Sequence, residues 1–163
     1  MRKPKQKSRE EALSALMDRC AKAEVCVSDA RRLMLRWQIP AQEQESIIDQ
    51  LLRDRFIDEA RYAGAFVRDK LNFSRWGARK ISEALYQKRI PADIIRQAME
   101  QAEGVPMADR LESDLRRKND AIKEDNPYKR KEKLLRFGVS RGYDFDTVTE
   151  AIERIRFPEP DDC

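Results

Sequence analysis

The sequence predicts an all-α protein, an elongated tandem array of three three-helix repeats. Three observations carry that prediction. Only five glycines punctuate 163 residues, and no stretch alternates apolar and polar side chains long enough for a half-buried strand. Apolar residues recur instead at spacings of three and four, the period of a helix face. The chain also resembles itself. Ile81-x-x-Ala84 … Arg89-Ile90 … Ile94-Ile95-x-x-Ala98-Met99 matches Leu134-x-x-Phe137 … Gly142-Tyr143 … Thr147-Val148-x-x-Ala151-Ile152, with every pair 53 residues apart. Unrelated amphipathic helices do not keep a constant offset through two helices and the turn between them, whereas stacked repeats do. The first group follows less closely. Its Ile39-Pro40 matches Ile90-Pro91 at an offset of 51, and a longer third helix then shifts the register.

The elements follow in order. A first helix runs from about Arg9 to Glu24, with Leu13, Leu16, Met17 and Cys20 on one face. Ser28 or Asp29 offers the N-cap of a second, which carries Leu33, Met34 and Trp37, and Pro40 ends it or starts the next. The third spans Ala41 to about Arg53 with Ile47, Ile48, Leu51 and Leu52 inward. Asp58 opens the fourth, whose stripe is Tyr62, Ala63, Phe66 and Val67. The fifth follows Ser74–Trp76 and carries Ile81, Ala84 and Leu85. Pro91 at the first position opens the sixth. Gly104 and Pro106 break the chain. The seventh helix, about Pro106 to Glu124, is mostly charged, with Met107, Leu111, Leu115 and Ile122 as a thin stripe. Asn126-Pro127 ends it. An eighth covers about Tyr128 to Arg141 and a ninth about Phe145 to Arg156. Grouped in threes, the helices give repeats at 9–56, 57–104 and 105–157, between a flexible basic arm at 1–8 and a frayed tail at 158–163.

Composition limits the function. Charged residues make up 39% and hydrophobic residues 40%, enough apolar side chain for a core but a thin one. No apolar run is long enough to cross a bilayer. Arg2, Lys3, Lys5, Lys7 and Arg9 make the N-terminus basic, but no hydrophobic segment follows as a signal peptide requires. Cys20, Cys26 and Cys163 are odd in number and the chain has no histidine, so neither a disulfide framework nor a zinc set is indicated. The cysteines read as reduced thiols of a cytoplasmic protein. Without histidine the commonest general base is missing. No glycine-rich phosphate loop occurs, and the carboxylates stand among Lys and Arg in ion-pairing patterns. No catalytic residue, cofactor site or metal site is assigned, and the chain reads as a binding protein.

What remains is surface charge. The net charge is +4, and the excess is clustered. Arg61 and Arg68, seven apart on the fourth helix, differ by about 20° around its axis, with Gly64 and Ala65 as a low floor between them. Segment 75–96 holds Arg75, Arg79, Lys80, Lys88, Arg89 and Arg96 against two acids, and Tyr86 shares the solvent face of Arg79. Segment 116–136 holds Arg116, Arg117, Lys118, Lys123, Lys129, Arg130, Lys131, Lys133 and Arg136 against four acids. Two such clusters favour an anionic partner, although any one of these side chains has an equally simple role on a solvated face. Tyr128, set among Lys129, Arg130 and Lys131, is a candidate for stacking on a base. Trp76 either stacks on a base or packs the hinge between two helices, and Trp37 belongs to the core.

These residues resemble a known family. Ile57-Asp58-Glu59-Ala60-Arg61-Tyr62-Ala63-x-x-Phe66-Val67-Arg68, followed by Trp76-Gly77-x-x-Lys80-Ile81-x-x-x-Leu85-x-x-Lys88-Arg89-Ile90, is similar to the central repeat of the RecX regulatory proteins. Leu134-x-x-Phe137-x-x-x-Arg141-Gly142-Tyr143 resembles the family's C-terminal repeat, and Trp37 with Leu51-Leu52 fits its N-terminal repeat more loosely. The chain departs from the pattern at Arg89, where the family usually has glycine, and at Glu59, where a second aspartate is common. The resemblance covers about residues 10–156. It implies a bacterial cytoplasmic regulator of the RecA recombinase, acting in recombinational DNA repair and the SOS response. Such a protein binds RecA and the groove of the RecA–single-stranded-DNA filament. Filament growth, ATP hydrolysis, strand exchange and co-protease activity then fall. A three-module array would contact several subunits and gain from effective concentration. The expected partners are RecA and single-stranded DNA within its filament, with bare DNA a further one and no membrane. Two other readings stand beside this one: a sequence-independent DNA binder, and a helical-repeat adaptor without DNA contact.

Overall fold

The structure is a computed structural model that describes residues 5–102 and 107–157. Among these residues the chain forms nine α-helices and no strand: α1 Arg9–Lys22, α2 Val27–Arg36, α3 Ala41–Arg53, α4 Glu59–Asp69, α5 Ala78–Gln87, α6 Ala92–Gln101, α7 Met107–Ala121, α8 Pro127–Ser140 and α9 Phe145–Glu153. A π-helical turn, Lys70–Ser74, follows α4. Gly104, Pro106, Cys163 and the 158–163 tail lie outside the described residues, as does the arm up to residue 4.

Local chemistry accounts for most of the boundaries. Ser8 and Glu11 form a reciprocal capping box on α1, Ser8 accepting from the Glu11 N–H at 3.2 Å and Glu11 from the Ser8 N–H at 3.0 Å. Asn126 caps α8, with Pro127 in its first turn, and Asp144 caps α9. One expected cap is corrected. Helix α2 begins at Val27, ahead of Ser28 and Asp29, and its N-cap Cys26 makes no side-chain cap bond. The Val27 N–H is satisfied by Glu59 Oε1 of α4 at 3.2 Å, a partner 32 residues away that no local pattern announces.

One turn recurs. After α2, Gln38 takes φ +59°, and the Ile39 N–H reaches back to the Met34 carbonyl at 3.0 Å. After α5, Arg89 takes φ +59°, and the Ile90 N–H reaches the Leu85 carbonyl at 3.1 Å. After α8, Gly142 takes φ +97°, and the Tyr143 N–H reaches the Gly138 carbonyl at 3.3 Å. Each is a left-handed C-terminal cap followed by a buried residue, Ile39, Ile90 or Tyr143. Those are the residues that the sequence repeat aligns. At Arg89 the positive φ is a strain that glycine would escape.

The described residues divide into two compact units: the first within Met1–Val67 and Ala84–Glu100, the second within Arg68–Glu83 and Gln101–Cys163. In the first, Ala12, Leu16, Met34, Ile47 and Leu51 are fully buried, with Ile39, Ile48 and Ile57 nearly so, and Trp37 packs against this cluster. In the second, Leu111, Leu115, Leu134 and Val148 are fully buried and join Ala151, Ile152 and Ile155 from the α9 segment.

The π-helical turn belongs to the second unit. The Trp76 N–H closes it onto the Lys70 carbonyl at 3.0 Å, and Arg75 leaves it at φ +54°. Two distant arginines hold it: Arg110 donates to the Leu71 carbonyl at 2.8 Å, and Arg141 donates to the Ser74 carbonyl at 3.1 Å.

Candidate nucleic-acid interface

In the first unit lie Arg61, Tyr86, Lys88 and Arg89. Asp58 caps the start of α4 by accepting the Arg61 N–H at 3.0 Å. The Arg61 guanidinium meets Glu24 Oε1 at 2.6 Å and also donates to the carbonyls of Arg55 and Phe56. The Glu24 hydrogen bond raises the Arg61 pKa above its ordinary value. Lys88 Nζ sits 2.7 Å from Asp29 Oδ1. Both cations are therefore tied to carboxylates of the segment from the end of α1 into α2. Tyr86 and Arg89 are exposed.

In the second unit, Arg68 is exposed near the end of α4. Arg75 is half-buried, and its Nε lies 2.7 and 2.8 Å from the two oxygens of Asp114, whose side chain is nearly enclosed. That hydrogen bond raises the Arg75 pKa. Arg79 donates to the Val139 carbonyl at 3.3 Å and Lys80 to the Ser140 carbonyl at 3.2 Å. These contacts follow from a close backbone crossing, in which the Gly77 N–H meets the Arg141 carbonyl at 2.6 Å and the Arg79 N–H meets the Gly142 carbonyl at 3.1 Å. Trp76 is half-buried, with the ammonium groups of Lys70 and Lys80 each 4.5 Å from a ring centroid.

The charged run of α7 and α8 separates into two kinds of residue. Arg130 is half-buried and donates to four acceptors, the carbonyls of Asn119, Ile122 and Glu124 and the Asn119 side chain. It therefore closes the C-terminal end of α7, as a basic residue does at the negative end of a helix. Arg116 pairs with Glu112 at 2.7 Å, Arg136 with Glu132 at 2.9 Å and Lys133 with Glu124 at 3.7 Å. Arg117, Lys118, Lys123, Lys129 and Lys131 are exposed, and Tyr128 is 85% exposed beside them in sequence. The Lys131 ammonium stands 5.3 Å from the Phe157 ring centroid.

The structure brings part of the predicted set into one cavity. Arg75, Arg117 and Lys118 line a hollow of about 270 Å³ together with Asp114, Phe137 and Arg141. The Lys118 ammonium lies 5.5 Å and the Arg141 guanidinium 5.0 Å from the Phe137 ring centroid, so the ring steadies two cations on the cavity wall. With the Asp114 charge matched by Arg75, the wall is net positive and suits an anionic group. Phe137 and Arg141 were not among the sequence-predicted site residues, although both stand in the repeat motif, and the signal available was their i,i+4 spacing.

Burial pushes the Cys20 thiol up, the opposite of what an activated nucleophile needs. Among the described residues no group of three or more Cys, Asp or Glu side chains is placed to hold a metal ion, and no helix is long and apolar enough to cross a membrane.

Comparison with known proteins agrees with this architecture. Residues 58–99 match the model of the RecX second three-helix domain, and residues 108–152 match that of the RecX third three-helix domain. A regulatory protein RecX of Clostridium botulinum (strain Eklund 17B / Type B) is 31% identical over 162 residues, covering 93% of this chain and 70% of the relative. The chain belongs to the RecX family. A RecX of Vibrio parahaemolyticus is 30% identical over 110 residues, covering 66% of this chain and 68% of its own. Two crystal structures share the fold. One, of regulatory protein RecX, superposes with a TM-score of 0.78 at 20% identity, covering 90% of this chain and 72% of its own. The other, RecX from Lactobacillus salivarius, superposes with a TM-score of 0.75 at 16% identity, covering 89% and 94%. The all-α helical repeat fold is thus common to RecX proteins of low sequence identity. The relatives are named as regulatory proteins.

Proposed function

We propose that this RecX-family chain binds RecA and RecA–single-stranded-DNA filaments and restrains them. Filament growth falls, and with it ATP hydrolysis, strand exchange and co-protease activity. The protein thereby tunes recombinational repair and the SOS response in the cytoplasm, without catalysis of its own. In this reading 9–56, 57–104 and 105–157 are the three repeats. The observation that carries it is family membership joined to the basic surface of the third repeat. Arg117, Lys118, Lys123, Lys129 and Lys131 are exposed there, and Arg141 joins Arg117 and Lys118 on the wall of the Phe137 cavity. Exposed Lys and Arg without a fixed hydrogen-bonding frame recognise the charge of a phosphate backbone and not its sequence.

The test is co-sedimentation with RecA filaments assembled on oligo-dT, run beside RecA alone and oligo-dT alone. The proposal expects the protein to pellet with the filament. Its absence from the filament pellet would refute the proposal. The exposed cations also favour a second reading, a DNA binder indifferent to RecA. That reading expects equal affinity for bare oligo-dT and for the filament, and a steep loss of both with salt.

A further inference from the structure

The first repeat holds a basic cleft that neither the sequence clusters nor the family models single out. It lies between the last turn of α1 and the outer face of α2, encloses about 560 Å³, and is lined by Arg19, Lys22, Arg32 and Arg36 together with the acids Glu24 and Asp29. All four cations are exposed, whereas Glu24 and Asp29 are half-buried. The cations form two pairs, one residue pair three apart on α1 and one four apart on α2, so each pair stands one helical turn apart on its helix.

By sequence alone the two acids cancel half of this charge. In the structure they are matched by cations from outside the cleft: Arg61 of α4 holds Glu24 at 2.6 Å, and Lys88 holds Asp29 at 2.7 Å. Arg32 approaches Asp29 only to 3.9 Å and remains 67% exposed. The charge of the four rim cations is therefore left largely uncompensated.

We infer that this cleft is a binding surface for a nucleic-acid single strand, whose phosphates lie across the cations of the α1 and α2 rim, and that Arg61 and Lys88 are positioning residues acting through Glu24 and Asp29. The inference rests on the strand-contacting part of the function proposed above. The floor decides which polyanion fits. An acidic side chain would have to project toward the carboxylates of Glu24 and Asp29 and the carbonyl end of α1, where negative charge is disfavoured. A strand crossing the rim keeps its phosphates at the Arg and Lys heads, and three of the four heads are guanidiniums able to grip phosphate with two hydrogen bonds.

The experiment measures anisotropy of a labelled oligo-dT across a salt series, with RecA ATPase inhibition read on the same proteins. Arg32→Gln with Arg36→Gln should weaken oligo-dT binding at low salt and flatten the salt slope by about 1.4, about 0.7 for each single-strand phosphate that is no longer neutralised. Because both side chains are exposed, helicity should not change. Lys88→Ala should weaken binding by exposing Asp29, and Lys88→Ala with Asp29→Asn should restore it, which a direct Lys88–phosphate contact would not allow. An unchanged slope in the Arg32/Arg36 variant, or no binding of oligo-dT by the parent protein, overturns the cleft assignment. Failure of the Asp29→Asn rescue overturns the positioning role. Poly-glutamate that binds the parent protein, is lost in the Arg32/Arg36 variant and leaves oligo-dT bound would mark the cleft as a peptide groove and overturn the inference. ATPase inhibition retained in a variant with an unchanged slope leaves the RecA reading standing while the cleft falls.

Discussion

Replacing Gly77 by alanine tests how the second unit is held together. A Cβ built at Gly77 would lie 2.6 Å from the carbonyl carbon and oxygen of Gly142 and 2.8 Å from the Tyr143 nitrogen. All three are backbone atoms, so no side chain can turn aside, and the two segments must part. Two hydrogen bonds lie across that contact, Gly77 N–H to the Arg141 carbonyl and Arg79 N–H to the Gly142 carbonyl. Each contributes about 1 kcal/mol net, and forcing a methyl into a packed contact costs roughly 1–3 kcal/mol. The expected loss is about 3–5 kcal/mol, or very roughly 6–20 °C in Tm for a chain of this length. Urea unfolding followed by circular dichroism at the helix band measures it. A loss below about 1 kcal/mol would mean that the two backbones do not approach this closely.

Three further outcomes are expected. Arg89→Gly relieves the φ of +59° at the turn after α5 and should raise stability by up to about 1 kcal/mol in the same urea assay, the strain relieved outweighing the glycine's larger unfolded-state entropy. Hydrogen bonds from Thr147 hold the Asp144 carboxyl below the ordinary carboxylate range. A lowered folded value means stability that is fully present above the unfolded value, near pH 4, and lost as the pH falls through the folded one. Asp144→Asn should therefore show a flatter acid limb in a thermal-melt series from pH 6 to pH 2, while an unchanged limb would exclude Asp144 from it. Lys129→Gln with Lys131→Gln should flatten the salt dependence of oligo-dT binding without a change in helicity, and an identical slope would remove α8 from the interface.

Helices and the recurring turn were legible because their determinants are local. Leu13, Leu16 and Met17, or Ile47, Ile48 and Leu51, show their period within one element, and Asn126-Pro127 marks the break between α7 and α8. The 53-residue offset located Ile90 and Tyr143 at equivalent turns, and the structure puts a left-handed cap before each. Interactions made across long stretches of chain were not legible. The start of α2 depends on Glu59, and the π-helical turn on Arg110 and Arg141. Charge was the least legible property. Arg130 looked like one more cation in a run of cations, yet its guanidinium is consumed by four acceptors at the end of α7. Arg61 and Lys88 are bound to carboxylates that lie far from them in sequence, and for the same reason the full positive charge of the α1–α2 cleft was not legible.

The most direct test of filament binding is RecA's DNA-dependent ATPase on single-stranded DNA, titrated with this protein in the presence of a large excess of naked DNA. Inhibition is expected well below one molecule per RecA, undiminished by the added DNA. Inhibition abolished by the excess DNA would mean that the protein only competes for the strand, and no inhibition at all would contradict the claim that the filament is its target.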